Sequence, residues 1–183
     1  MTQLNIPFEL IELDITQKET RTPEFLNKNP NGRIPLLELE SGQFLWESNA
    51  ILFYLSENTP FFPTEHFERA KVLQWLFFEQ YSHEPYIATT RYYYHIGKAD
   101  EYRETINQKR EPGYAALRVM EKHLSDRAFF VGERYSIADI GLFAYTHVAE
   151  EGEFDLTKFP AIQAWIERIK QQPGYIPITA RNL

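Results

Sequence analysis

Two dipeptides and the turn that leads to the first of them carry the chemistry of this chain: Asn29-Pro30-Asn31-Gly32-Arg33 running into Ile34-Pro35, and Glu47-Ser48. Pro35 has no N–H, so Ile34 and Pro35 belong at a strand end or edge. If the Ile34–Pro35 bond is cis, the backbone N–H and C=O of Ile34 face outward, where an extended peptide can pair with them. Ser48 follows the apolar run Phe44-Leu45-Trp46 and precedes Ile51-Leu52-Phe53-Tyr54-Leu55, which is the place of a helix N-cap. Unpaired N–H groups at a helix start, with a hydroxyl beside them, hold a carboxylate, and Glu47 next to them pairs with an ammonium. A carboxylate and an ammonium on one carbon describe an amino-acid head group. Beside a strand edge that pairs with peptide backbone, they point to a small α- or γ-linked peptide. Each residue also has a plainer reading: Pro35 as a trans edge proline, Ser48 as a cap, Glu47 as a solvated charge. Their spacing, taken together, favours the ligand.

The elements that hold these residues are legible on both sides of them. Asn31-Gly32 supplies the positive φ of a tight turn, Leu36–Glu40 and Phe44–Trp46 read as hairpin strands joined at Ser41-Gly42, and a helix follows over Asn49–Glu57. Upstream, Met1–Ile6 reads as the end of a helix stopped by Pro7, and Phe8–Ile15 alternates as a half-buried strand, making three strands. Thr22 as cap and Pro23 at the first helical position start a short helix to about Asn27.

After the proline-bounded stretch Thr59-Pro60-Phe61-Phe62-Pro63, the pattern is helical throughout. A first long helix spans about Glu65 to His95, with a kink expected at Pro85. Pro112-Gly113 is expected to split the run Asp100–Ser125 in two. Ser136, three residues before Asp139, reads as a capping box opening a buried helix to about Ala149, and Phe159–Gln172 reads as a last amphipathic helix. The organisation is therefore an α/β unit over 1–58, a linker over 59–64 and an all-α unit over 65–183.

Composition narrows the function classes. A formal charge of −7 with no Lys/Arg cluster beyond a pair disfavours nucleic acid and anionic membrane as partners. With 43% hydrophobic residues there is enough apolar side chain for a packed core, yet no run approaches the length of a membrane span. The chain has no cysteine, hence no disulfide framework and no thiol nucleophile of its own, which fits a cytoplasmic protein. His66, His83, His95, His123 and His147 show no metal-ligand spacing, so no metal is expected and they read as surface or helix-packing residues.

The pattern N-P-x-G-x-I-P-L-L, followed by a hairpin, W-E-S and an apolar helix, resembles the glutathione-binding half of the cytosolic glutathione transferases. The string F-x-V-G-x-x-Y-S-I-A-D-I around Asp139 resembles the capping motif of the central helix in the same family's C-terminal domain. What the resemblance implies is a thioredoxin-like N-terminal domain followed by an all-helical bundle. It also implies glutathione as co-substrate, with Ile34 pairing with its cysteinyl backbone, Pro35 as a cis proline, Glu47 and Ser48 on the γ-glutamyl head group and Arg33 near the glycyl end. By the same resemblance the first long helix walls the pocket of a small hydrophobic electrophile, with Tyr86 and Arg91 as candidate lining residues, and joins a homodimer. Bundle core or dimer interface is the alternative for that aromatic cluster.

The family's first strand, and the turn carrying its activating Tyr, Ser or Cys, have no counterpart in this sequence, so no catalytic residue is assigned. A start further upstream, a different fold and a damaged first half are the three explanations of that gap. The implied activity is conjugation of the glutathione thiol to an electrophile. The alternatives are a non-catalytic interaction module, as the fold serves in some translation and transcription accessory proteins, or an inactive truncated form.

Overall fold

Thr22 and Pro23 open helix α1 (Pro23–Lys28): the Thr22 hydroxyl accepts the Phe25 N–H at 3.2 Å, and Pro23 sits where a missing N–H costs nothing. The chain then forms β1 (Leu36–Glu38) and β2 (Phe44–Trp46), an antiparallel pair with Leu36 opposite Trp46 and Leu37 opposite Leu45, and enters α2 (Ser48–Ser56). Gly42 closes the hairpin at φ 80°, its N–H donating to the Leu39 carbonyl at 2.8 Å. A computed structural model, which describes residues 1–180, groups these elements in one unit, Met1–Glu57, joined by residues 173–180. The second unit is Asn58–Gln172.

Two expectations for the first unit are corrected. Met1–Ile6 holds a short 3-10 turn, Thr2–Leu4, and not a helix end. Phe8–Ile15 forms no strand, so the sheet among the described residues has two strands instead of three. The segment gives way to a 3-10 turn at Ile15–Gln17, and Leu10 and Ile11 are exposed. A strand is held by the ladder to a neighbour, and β1 and β2 satisfy only each other. Alternation alone does not make one.

The second unit is helical. Glu65 caps α3 (His66–Phe78), its carboxylate accepting the Phe67 and Glu68 N–H groups at 3.0 and 2.8 Å. α3 passes through a π turn, Glu79–His83, into α4 (Glu84–His95). The disturbance expected at Pro85 takes this form: the proline ring would collide with the Tyr81 carbonyl in a regular helix, and a widened turn ahead of it removes the collision. α5 (Arg103–Leu124) is continuous through Pro112, against the expected break. Its buried residues Ile106, Gly113, Leu117, Met120 and Leu124 share one face, and Gly113 lies directly under the Phe154 ring. Each large apolar side chain buried there contributes about 1.5–3 kcal/mol, and Ile106, Leu117, Met120 and Leu124 together outweigh the roughly 3 kcal/mol cost of an interior proline. α6 (Ile137–Thr146) and α7 (Pro160–Lys170) complete the unit. No helix among the described residues is long and apolar enough to cross a membrane.

Asp139 joins these helices. The expected capping box forms, the Ser136 N–H donating to Asp139 Oδ2 at 3.0 Å. The other carboxylate oxygen, Oδ1, accepts the Phe130 N–H at 3.1 Å and the Trp165 indole N–H at 2.9 Å, so one side chain ties the start of α6 to the preceding loop and to α7. Burial outweighs these donors and pushes its carboxyl up to about 6. His83, expected as an ordinary histidine, is fully buried in the π turn with Nε2 2.9 Å from the Thr146 hydroxyl, and burial pushes its imidazole down to about 3.

Removing the Asp139 carboxylate orphans buried donors at about 1–3 kcal/mol each. Asp139→Ala should therefore cost about 3–5 kcal/mol, read as a lowered urea midpoint. His83 is neutral when folded and takes up a proton near pH 6.5 when unfolded. Its contribution is thus fully present above that pH and lost as the pH falls towards 3. Between pH 7 and pH 5 it amounts to about 2 kcal/mol. Asp139, whose folded value is raised, contributes with the opposite sign, a stability present below pH 3.8 and lost as pH rises through about 6. Urea titrations of the native chain and His83→Gln at both pH values isolate the histidine. The acid-induced loss should be smaller in the variant by about that 2 kcal/mol.

Candidate functional site

The turn between α1 and β1 is built by asparagines. Asn29 ends α1 and is 1% exposed, its N–H donating to the Phe25 carbonyl at 2.8 Å and its C=O accepting the Gly32 N–H at 2.9 Å. Its side-chain Oδ1 accepts the Asn31 N–H at 3.0 Å, and its Nδ2 donates to the Arg33 carbonyl at 2.7 Å. Gly32 adopts φ 63°, and the Arg21 guanidinium fills the space where a Cβ there would stand. That guanidinium also donates to the Asn31 carbonyl at 3.1 Å. The positive φ favours glycine here, and a Cβ would also displace the Arg21 guanidinium.

Beyond the turn the Ile34–Pro35 bond is cis, and Ile34 is 48% exposed just ahead of β1. Arg33 is exposed beside it. After β2 the chain bends sharply at Glu47, which holds φ 71°, unusual for a residue with a side chain. Its carbonyl accepts the Ile51 N–H at 3.0 Å, so Glu47 occupies the cap of α2 and Ser48 is its first helical residue. This shifts the expected cap by one position. Ser48 and Asn49 therefore stand in the first turn of α2.

One contact joins the two halves of the site: Asn31 Nδ2 donates to Glu47 Oε1 at 3.3 Å, across 16 residues of sequence. Ile34, Pro35, Glu47 and Ser48 thus lie in one unit, with Asn31 as the bridge. Asn29, Asn31 and Arg21 were read in the sequence only as turn residues or not at all, and no local signal reveals a bond of that span. Tyr86 and Arg91 belong to the second unit. Lys109 Nζ lies 5.8 Å from the Tyr86 ring centroid, and Arg91 Nε pairs with Glu151 at 2.6 Å, so both have partners within the bundle. Among the described residues no cluster of His, Cys, Asp or Glu could hold a metal.

Comparison with known proteins gives the family of the chain. Residues 2–57 match the family model of the glutathione S-transferase N-terminal domain, and residues 75–173 that of the C-terminal domain. A crystal structure of a glutathione S-transferase from Pseudomonas fluorescens is 52% identical and superimposes with a TM-score of 0.95 over 98% of this chain and 90% of that one. The disulfide-bond oxidoreductase YfcG of Escherichia coli is 31% identical over 181 residues, 95% of this chain and 84% of its own. The glutathione transferase URE2P6 from Phanerochaete chrysosporium, solved with oxidized glutathione, is 28% identical with a TM-score of 0.83 over 94% of this chain and 83% of that one. With a thioredoxin-like domain carrying the asparagine turn and an all-helical domain centred on Asp139, the chain belongs to the glutathione S-transferase family.

Proposed function

We propose that this chain binds glutathione along the Ile34 edge and the start of α2, and conjugates its thiol to a small hydrophobic electrophile. The observation that carries this reading is the Asn31–Glu47 bond, which sets a carboxylate and a helix start beside an exposed strand entrance. Ile34 pairs with the cysteinyl backbone, Pro35 shapes that edge, Glu47 takes the γ-glutamyl ammonium, and Ser48 with the first-turn N–H groups takes its carboxylate. Arg33, exposed beside Ile34, takes the glycyl carboxylate. The glutathione-bound relative from Phanerochaete chrysosporium supports the choice of ligand.

In the reaction the thiol gives its proton to solvent, a sulfur lone pair forms the new bond to carbon, and the leaving group departs with its bonding pair. No side chain is assigned the proton. Tyr86 and Arg91 are the α4 candidates for the electrophile's surroundings, although Lys109 and Glu151 already account for their positions. A homodimer along α3 and the π turn after it is supported by the exposure of Phe67, Phe77 and Tyr81, at 68%, 70% and 84%.

Thermal melting with glutathione tests binding. At a hundred times the dissociation constant the ligand should stabilise by about 2.7 kcal/mol, a rise in Tm of about 5–10 °C for a chain of this size. No shift at millimolar glutathione contradicts the reading. A folded chain with no shift supports the interaction module, and a shift without turnover of an aryl halide retains binding and contradicts conjugation.

A further inference from the structure

We propose that Asn29 is a positioning residue for ligand binding: its side-chain amide fixes the plane of the Arg33–Ile34 peptide so that the Ile34 N–H points at the bound peptide. This rests on the glutathione reading above. A trans peptide is planar, with its C=O and N–H pointing in opposite directions. The only cis bond among the described residues is the next one along, Ile34–Pro35, so the rule holds for Arg33–Ile34. Asn29 Nδ2 holds the Arg33 carbonyl at 2.7 Å from a position that is 1% exposed. The Ile34 N–H, in the same plane but on the opposite side of the C–N bond, is therefore turned away from the buried amide. Ile34 itself is 48% exposed.

The chemistry asks for asparagine. Oδ1 must accept the Asn31 N–H while Nδ2 donates to the Arg33 carbonyl, so the side chain must present an acceptor and a donor at once. An aspartate keeps the first bond and sets an oxygen against the Arg33 carbonyl, repelling the atom that must be held. The rest of the turn does not compensate. Gly32 is conformationally free by nature, and Arg21 grips the Asn31 carbonyl and not that of Arg33. The peptide plane depends on the Asn29 donor.

The test pairs Asn29→Asp with glutathione and with an isostere whose cysteinyl–glycyl amide is replaced by an (E)-alkene, which has no carbonyl for the Ile34 N–H to reach. The native chain should prefer glutathione over the isostere by about tenfold, the fold-change of one such hydrogen bond. In Asn29→Asp the preference should fall below about twofold, with isostere affinity nearly unchanged. Loss of affinity for both ligands by the same factor, with the preference kept, would mean that Asn29 serves only the fold of the turn and overturns the proposal. Absence of glutathione binding by the native chain would remove the underlying reading as well, so the two failures are distinct. Should the variant not fold, amide exchange of the native chain decides. The Ile34 N–H should exchange freely without ligand and be protected about tenfold or more by glutathione but not by the isostere. Protection of that amide in the free protein overturns the proposal.

Discussion

Polar groups that leave water must find their hydrogen bonds inside the protein, and in each unit one such group organises what surrounds it. In the helical unit it is the Asp139 carboxylate, which takes donors from Phe130, Ser136 and Trp165 and thereby fixes where α6 begins and how α7 lies on it. In the first unit it is the Asn29 amide, which closes the turn through Asn31 and Arg33. The two differ in charge and agree in logic. A buried side chain held by several hydrogen bonds has one arrangement, and the backbone around it inherits that arrangement.

The proposed binding site in the first unit follows from that restriction. The turn delivers the chain to β1 with Ile34 exposed, and β2 returns it to Glu47 beside Asn31. Glu47 adopts a positive φ that a residue with a Cβ tolerates at some cost, and the Asn31 bond accompanies it. Strand entrance and helix start thereby become one surface. Neither segment alone says more than edge or cap. In the second unit the π turn puts His83 wholly inside, against Thr146, where a neutral imidazole is the only form the surroundings accept.

How much of this was legible in the sequence depended on the range of the interaction involved. The Thr22-Pro23 helix start, the Gly42 hairpin, the Ser136–Asp139 box and the exposed Ile34-Pro35 entrance are local, and residue type settled them. The strand expected at Phe8–Ile15 failed because a strand is completed by a neighbour that the alternation of its own residues cannot supply. Pro112 failed to divide α5 because packing against Phe154 and the rest of the bundle outweighs a local preference. Ser48 was read one position from its place, since the Glu47 backbone and not the serine hydroxyl opens α2. The Asn31–Glu47 and Trp165–Asp139 bonds span 16 and 26 residues, and nothing in the intervening sequence announces them.

The account turns on Glu47 and the start of α2 acting as the receptor for an amino-acid head group. The measurement that addresses this most directly is calorimetric titration with glutathione and with glutathione acetylated at its α-amino group, which removes the ammonium and leaves the rest of the peptide intact. The account predicts that acetylation weakens binding by about tenfold or more, as expected when a carboxylate loses a charge-assisted partner. Equal affinity for the two ligands would contradict it.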